Sequence, residues 1–183
     1  MRPKPSRQFG WRMLALDTRG VAATEFAFLA PILIIMYFSM VEYCQAYMAL
    51  KRTDHVAAMV ADLTSQNDRI TKAQMGDVFA IGNVIMSPFA ATTLRQRVSS
   101  VTRVDTNSYR VDWSIGDGIA DKLTVAEAKI PADMLAANES VIIAEANYDF
   151  DSPFDQIAPS ATRFKRMAYL RPRTTDLIVC TDC

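Results

Sequence analysis

Glu25 is the lone charged side chain in an apolar run that starts at Val21 and continues uncharged from Phe26 to Val41. An ionised group inside a membrane-length helix costs on the order of 3 kcal/mol, so it is ordinarily paired or functional. The chemistry open to Glu25 is electrostatic. A carboxylate in a low-dielectric setting is tolerated when a cation meets it, and a group four residues away on the same helix lies about one turn distant. The plainer alternative is a carboxylate in the first turn that faces headgroups and favours the positive end of the helix dipole.

Other residues have the type but not the surroundings for chemistry. Cys180 and Cys183 suit a redox pair, half a zinc site or a local disulfide. Zinc would need two more ligands, and a redox motif normally opens a helix in a thioredoxin-like fold. The expectation is therefore a local disulfide of modest stabilising effect. Cys44, the third cysteine, reads as a small apolar packing residue. His55 and Asp54 are helix neighbours pointing about 100° apart, which makes His55 a solvated residue rather than a ligand. The run from Asp149 to Asp155 lacks the glycine and terminal glutamate of an EF-hand, so no metal is expected there. Arg163, Lys165, Arg166, Arg171 and Arg173 form a basic stretch that either pairs with acids of adjacent subunits or is a solvated face. No nucleic-acid module accompanies it. With no nucleophile beside a base, no metal cluster and no phosphate loop in the sequence, an enzyme is not expected, nor is a cofactor.

The elements that must position these residues begin with a membrane span. The chain of 183 residues is 50% hydrophobic with zero net charge, yet the charge is asymmetric. Up to Gly20, Arg2, Lys4, Arg7, Arg12 and Arg19 face only Asp17, whereas beyond it 19 acids face 15 bases. Val21 to Val41 reaches the roughly 20 residues that a helix needs to cross a bilayer. The basic flank places the amino-terminal end in the cytoplasm and the larger carboxy-terminal part outside. A cleaved secretory signal fits less well, because its apolar core would open with Glu25 and contain Pro31 and the small-residue cut near Cys44-Gln45-Ala46 is mediocre. Pro31 inside the span permits a kink.

Helical periodicity continues past the span through Tyr43, Tyr47, Leu50, Val56, Met59, Val60 and Leu63, predicting one helix from Val21 to about Gln66, roughly 70 Å long. Ser65-Gln66-Asn67-Asp68 has turn chemistry, and Thr71-Lys72-Ala73-Gln74 is a capping box opening a second helix through Ile85, which Ser87-Pro88 ends. Val98, Val101 and Val104 mark one strand. Tyr109, Val111, Trp113 and Ile115 alternate as a second, with a hairpin turn at Asp105-Thr106-Asn107-Ser108 and a break at Gly116-Asp117-Gly118. A short helix around Asp133 to Ala137, a strand from Ser140 to Tyr148, a loop at Asp151-Ser152-Pro153-Phe154 and a closing strand from Arg163 to Leu170 complete the pattern. The expected fold is α+β: a long transmembrane helix continuing into a small external domain, whose antiparallel sheet packs on the outer half of that helix. The organisation expected is a basic leader at 1–20, a transmembrane and stalk helix at 21–66, and an α+β domain at 67–183.

The string Asp17-Thr18-Arg19-Gly20-Val21-Ala22-Ala23-Thr24-Glu25-Phe26-Ala27-Phe28-Leu29-Ala30-Pro31, followed by Val41-Glu42-Tyr43, resembles the TadE-like pseudopilins of tight-adherence (Flp, type IVc) pili. The resemblance implies cleavage after Gly20 by a prepilin peptidase, with Gly20, Val21, Glu25 and Phe26 as the processing site. Cutting there would give Val21 a free α-amine one helical turn from Glu25. The family pattern also implies that Glu25 meets the amine of a neighbouring subunit during assembly. Implied partners are the bacterial inner membrane, the peptidase, the pilus platform proteins and assembly ATPase, and the major pilin with other pseudopilins. The external domain would be periplasmic. The competing reading is an uncleaved single-pass membrane-anchored periplasmic sensor or adaptor.

Overall fold

The computed structural model describes residues 20–105, 108–120, 122–131, 134–152 and 162–183. Helix α1 spans Val21–Ser65 and helix α2 spans Lys72–Ile85. The strands are β1 (Arg69–Ile70), β2 (Leu94–Asp105), β3 (Ser108–Asp117), β4 (Ser140–Phe150), β5 (Thr162–Leu170) and β6 (Val179–Cys180). The fold is α+β, with a helix long and apolar enough to cross a membrane. The chain divides into two compact units that meet between Tyr43 and Cys44, within α1.

In the first unit α1 passes through Pro31 without interruption. Its apolar side chains are uncovered: Phe26 is 68% exposed and Phe28 79%, and Ile32, Leu33, Ile35 and Met36 are exposed as well. So large an apolar surface on one helix requires a partner outside the chain, either lipid or protein.

The second unit is built on a four-stranded antiparallel sheet in the order β3-β2-β4-β5. Strands alternate their side chains between two faces, and here both faces are buried. One face meets the helices, where Leu94, Val98, Ile142, Ala144 and Ala146 pack with Val56, Ala57, Val60, Met75 and Phe79. The other carries a smaller core in which Val101, Val141 and Ile143 are covered by Leu123, Ala128 and Leu135 from the β3–β4 connection. The expectation of a sheet covered by the outer half of the long helix holds for the first face only. Its second cover comes from a segment whose described residues form turns and no helix or named strand.

Several local expectations need correcting. The buried stripe of α1 is Ala49, Thr53, Val56, Ala57, Val60, Ala61 and Thr64. Tyr43 and Tyr47 are exposed and lie off that stripe. Cys44 is exposed too and does not pack inside the chain. β3 runs on through Gly116 to Asp117 rather than breaking there. The described part of the expected helix around Asp133 to Ala137 is turn, with Met134 bonded back to Pro131 and Glu139 to Ala136. Thr106, Asn107, Asp133, Pro153, Phe154 and Asp155 lie outside the described residues, although Asp105 and Ser108 pair across the expected hairpin.

The capping box at the start of α2 is present. The Thr71 side chain accepts from the Gln74 amide at 3.3 Å, and Gln74 Oε1 accepts from the Thr71 amide at 2.9 Å. β1 follows the expected turn and pairs in parallel with β6, a pairing between residues 110 apart in sequence that no local pattern announces.

Candidate functional site

The amino-terminal candidates are set by the start of α1. Gly20 immediately precedes the helix, Val21 is its first residue, and Glu25 and Phe26 follow in the next turn, all exposed. Thr24 Oγ1 donates to the Val21 carbonyl at 2.8 Å, holding one of the first-turn groups. At Gly20 an added Cβ would meet no atom within 4 Å, and the backbone is not in the left-handed region. Among the described residues, packing gives no reason for glycine at this position.

One turn separates Val21 from Glu25, and the apolar surface beyond them has no cover from the chain. That arrangement can do one thing chemically: it presents a single carboxylate at the head of an apolar rod.

At the other end, the last residues are fastened to α2. Ile178 is fully buried, and its carbonyl accepts from Trp113 Nε1 at 2.7 Å. Asp182 Oδ1 accepts from the Lys72 amide at 2.9 Å, satisfying a donor of the first turn of α2 that the helix itself leaves open. Cys180 and Cys183 form a disulfide, their Cα atoms 5.7 Å apart. With Asp182 they also make a cluster of three potential metal ligands. The disulfide occupies both sulfurs.

The basic stretch is largely engaged within the chain. Arg163 Nη2 donates to Asp149 Oδ2 at 3.1 Å, Arg171 Nη2 lies 3.1 Å from Glu139, and Arg173 pairs with Asp62 on α1. The Arg163 guanidinium hydrogen-bonds Asp149 and holds its carboxyl below the usual carboxylate range, and Asp149 raises Arg163 in return. Glu127 is also lowered, chiefly by the backbone amide of Thr124. His55 is exposed, as a solvated residue would be.

One constellation lies outside these expectations. Arg97 on β2 and Glu145 on β4 are directly opposed and buried. Arg97 also donates to the carbonyls of Ala120 and Lys122 at 3.2 and 3.1 Å and lies 3.7 Å from Glu127. The available sequence signal was a single charge, Glu145, in the mostly apolar stretch from Ser140 to Tyr148, the same kind of anomaly that singled out Glu25.

No curated protein and no solved structure matches the chain. A single apolar helix near the amino terminus fits a membrane anchor. Residues 20–62, the start of α1 and most of its length, match the model of the family described as TadE-like protein, and this match supports a role related to tight-adherence pili.

Proposed function

We propose that the chain is a minor pseudopilin of the tight-adherence pilus, inserted in the inner membrane with its larger unit in the periplasm and processed by prepilin peptidase after Gly20. The carrying observation is Glu25, an exposed carboxylate one turn from Val21 at the head of an uncovered apolar helix. Processing releases the basic leader and supplies the missing cation. Neither charge is then buried alone, which offsets part of the cost of leaving water. In a cluster of such helices the carboxylate of one subunit pairs with the Val21 amine of the next and fixes their register. The apolar surface from Phe26 onward is covered first by lipid and then by neighbouring subunits.

In this reading the chain catalyses nothing. Its partners are the peptidase, the platform and ATPase of the assembly machine, the major pilin and other pseudopilins. The periplasm permits the Cys180–Cys183 disulfide.

Amino-terminal sequencing and intact mass of the protein from its native membrane test the proposal. A mature chain starting at Val21 is expected. A mature chain that retains the leader removes the amine and with it the assembly mechanism, and leaves the membrane-anchored sensor or adaptor as the better reading.

A further inference from the structure

The second unit leaves part of α1 uncovered near the start of its share of that helix. Tyr47 is 49% exposed and Met48 51%, and Lys51 and His55 are exposed as well. With Arg52 these side chains line an open groove of about 280 Å³. The groove carries two permanent cations, an imidazole and no carboxylate. Asp54, the nearest acid in sequence, lines the cavity that opens toward β5 instead. Among the described residues, Lys51, Arg52 and His55 take part in no ion pair.

Both cations are oriented by the fold. Lys51 Nζ sits over the Tyr47 ring, 5.7 Å from its centre, so the side chain leans toward the amino-terminal end of α1. Arg52 Nη1 donates to the Ile85 carbonyl at 2.8 Å, one of the last-turn carbonyls that α2 leaves open. That bond brings the end of α2 beside the groove. Val84, next to Ile85, is 75% exposed, and Val78 to Leu94 is the longest uncharged run of the sequence.

The position along α1 points to what covers this face. Tyr47 follows Val41, the end of the apolar run, by about 9 Å of helix. The headgroup layer of a bilayer is about 5–8 Å deep on each side. A tyrosine with a lysine leaning back over its ring therefore stands near headgroup height, where amphipathic rings and snorkelling cations are favoured.

We propose that this face seats on the bilayer surface where α1 leaves it. Lys51 and Arg52 take the phosphates of anionic phospholipid headgroups, Tyr47 and Met48 enter the boundary beneath them, and the uncharged end of α2 at Val84 lies against the same leaflet. A zwitterionic lipid suits the groove less, because its own ammonium group competes with Lys51 for the phosphate. The proposal rests on the reading of α1 as a membrane anchor and is independent of processing and assembly.

The test uses the full chain with one copy in each lipid nanodisc, so that a second copy cannot cover the face. Added tryptophans report contact with acyl-brominated lipid by loss of emission, each read as the difference from the wild-type chain. Ile34→Trp reports the span, Met48→Trp and Val84→Trp the proposed face, and Val179→Trp the surface at the opposite end of α2. The first three should lose emission and the last should keep it. With phosphatidylglycerol and phosphatidylcholine in equal amounts and one of them brominated at a time, phosphatidylglycerol should be enriched about fivefold beside Met48→Trp, equivalent to about 1 kcal/mol for one cation near an anionic surface. Adding Lys51→Gln should remove most of that preference. If Met48→Trp or Val84→Trp is as unquenched as Val179→Trp while Ile34→Trp is quenched, the proposal is overturned and the anchor stands. Equal quenching by the two lipids, or a preference that survives Lys51→Gln, overturns it as well. An unquenched Ile34→Trp removes the anchor reading and this proposal with it.

Discussion

Arg97 and Glu145 share one oxygen. Nε and Nη2 of the arginine lie 2.7 and 2.6 Å from Glu145 Oε2, and the two side chains are only 8% and 7% exposed. Both sit at the sheet face covered by the β3–β4 connection, whose carbonyls at Ala120 and Lys122 take a further donor of Arg97. The pair thus ties two strands and a segment without regular structure to one point.

Removing one partner should cost much more than removing both. Glu145→Ala leaves the guanidinium buried with Glu127 only at a distance, and a loss of about 3–5 kcal/mol is expected. Replacing Arg97 with Met and Glu145 with Leu together should recover most of that loss, because neither charge is then stranded. Thermal unfolding of the two variants beside the wild type checks the order. A double variant less stable than Glu145→Ala would contradict it.

Gly20→Ala and Glu25→Ala should separate two steps. Among the described residues a Cβ at residue 20 meets nothing within 4 Å, so Gly20→Ala should leave the melting temperature unchanged while, on the proposed function, blocking removal of the leader. Glu25→Ala should be cut normally yet fail to assemble fibres. Mature mass read by immunoblot, together with surface fibres counted by electron microscopy, reports both. Wild-type behaviour of both variants would refute the assembly mechanism.

Acid should weaken the second unit through Asp149. Its carboxyl is held below the ordinary range by the hydrogen bond from Arg163, so the folded state binds its proton less readily than the unfolded chain does. The stabilisation is therefore full above the ordinary carboxylate pKa of about 4 and is lost as pH falls through the lower folded value. Asp149→Asn should be less stable than the wild type at pH 7, and the gap should close as pH falls through the lowered folded value. Urea midpoints across that interval measure the gap. A gap that stays constant to the acid end would rule out the linkage.

The carboxy-terminal strap should survive reduction. A disulfide between residues three apart in sequence closes so short a loop that it contributes about 2 kcal/mol at most. Ile178 burial, the Trp113 bond to its carbonyl, the β1–β6 pairing and the contact of Asp182 with Lys72 hold the strap independently. Replacing Cys180 and Cys183 with Ser should lower the melting temperature by only a few degrees. Trp113→Phe should cost about 1–3 kcal/mol by leaving the Ile178 carbonyl unpaired. A larger loss from the cysteine pair than from Trp113→Phe would invert this account.

What the sequence alone determined is what short-range rules encode. The helix from Val21, the capping box of Thr71 and Gln74, and the alternation through Trp113 each follow from periods of 3.6 or 2 or from contacts three residues apart. Glu25 was legible for the same reason, since one charge in an apolar run is a local anomaly. Only the tertiary structure decided which apolar stripe α1 buries, because Ala49, Ala57 and Ala61 owe their burial to the core they share with α2 and the sheet and not to their own hydrophobicity. The same holds for β6 beside β1, for Arg97 against Glu145 and for the cover that Leu123, Ala128 and Leu135 place over the second face. These partners are joined by packing between segments that are far apart along the chain, and no periodicity within either segment specifies the other.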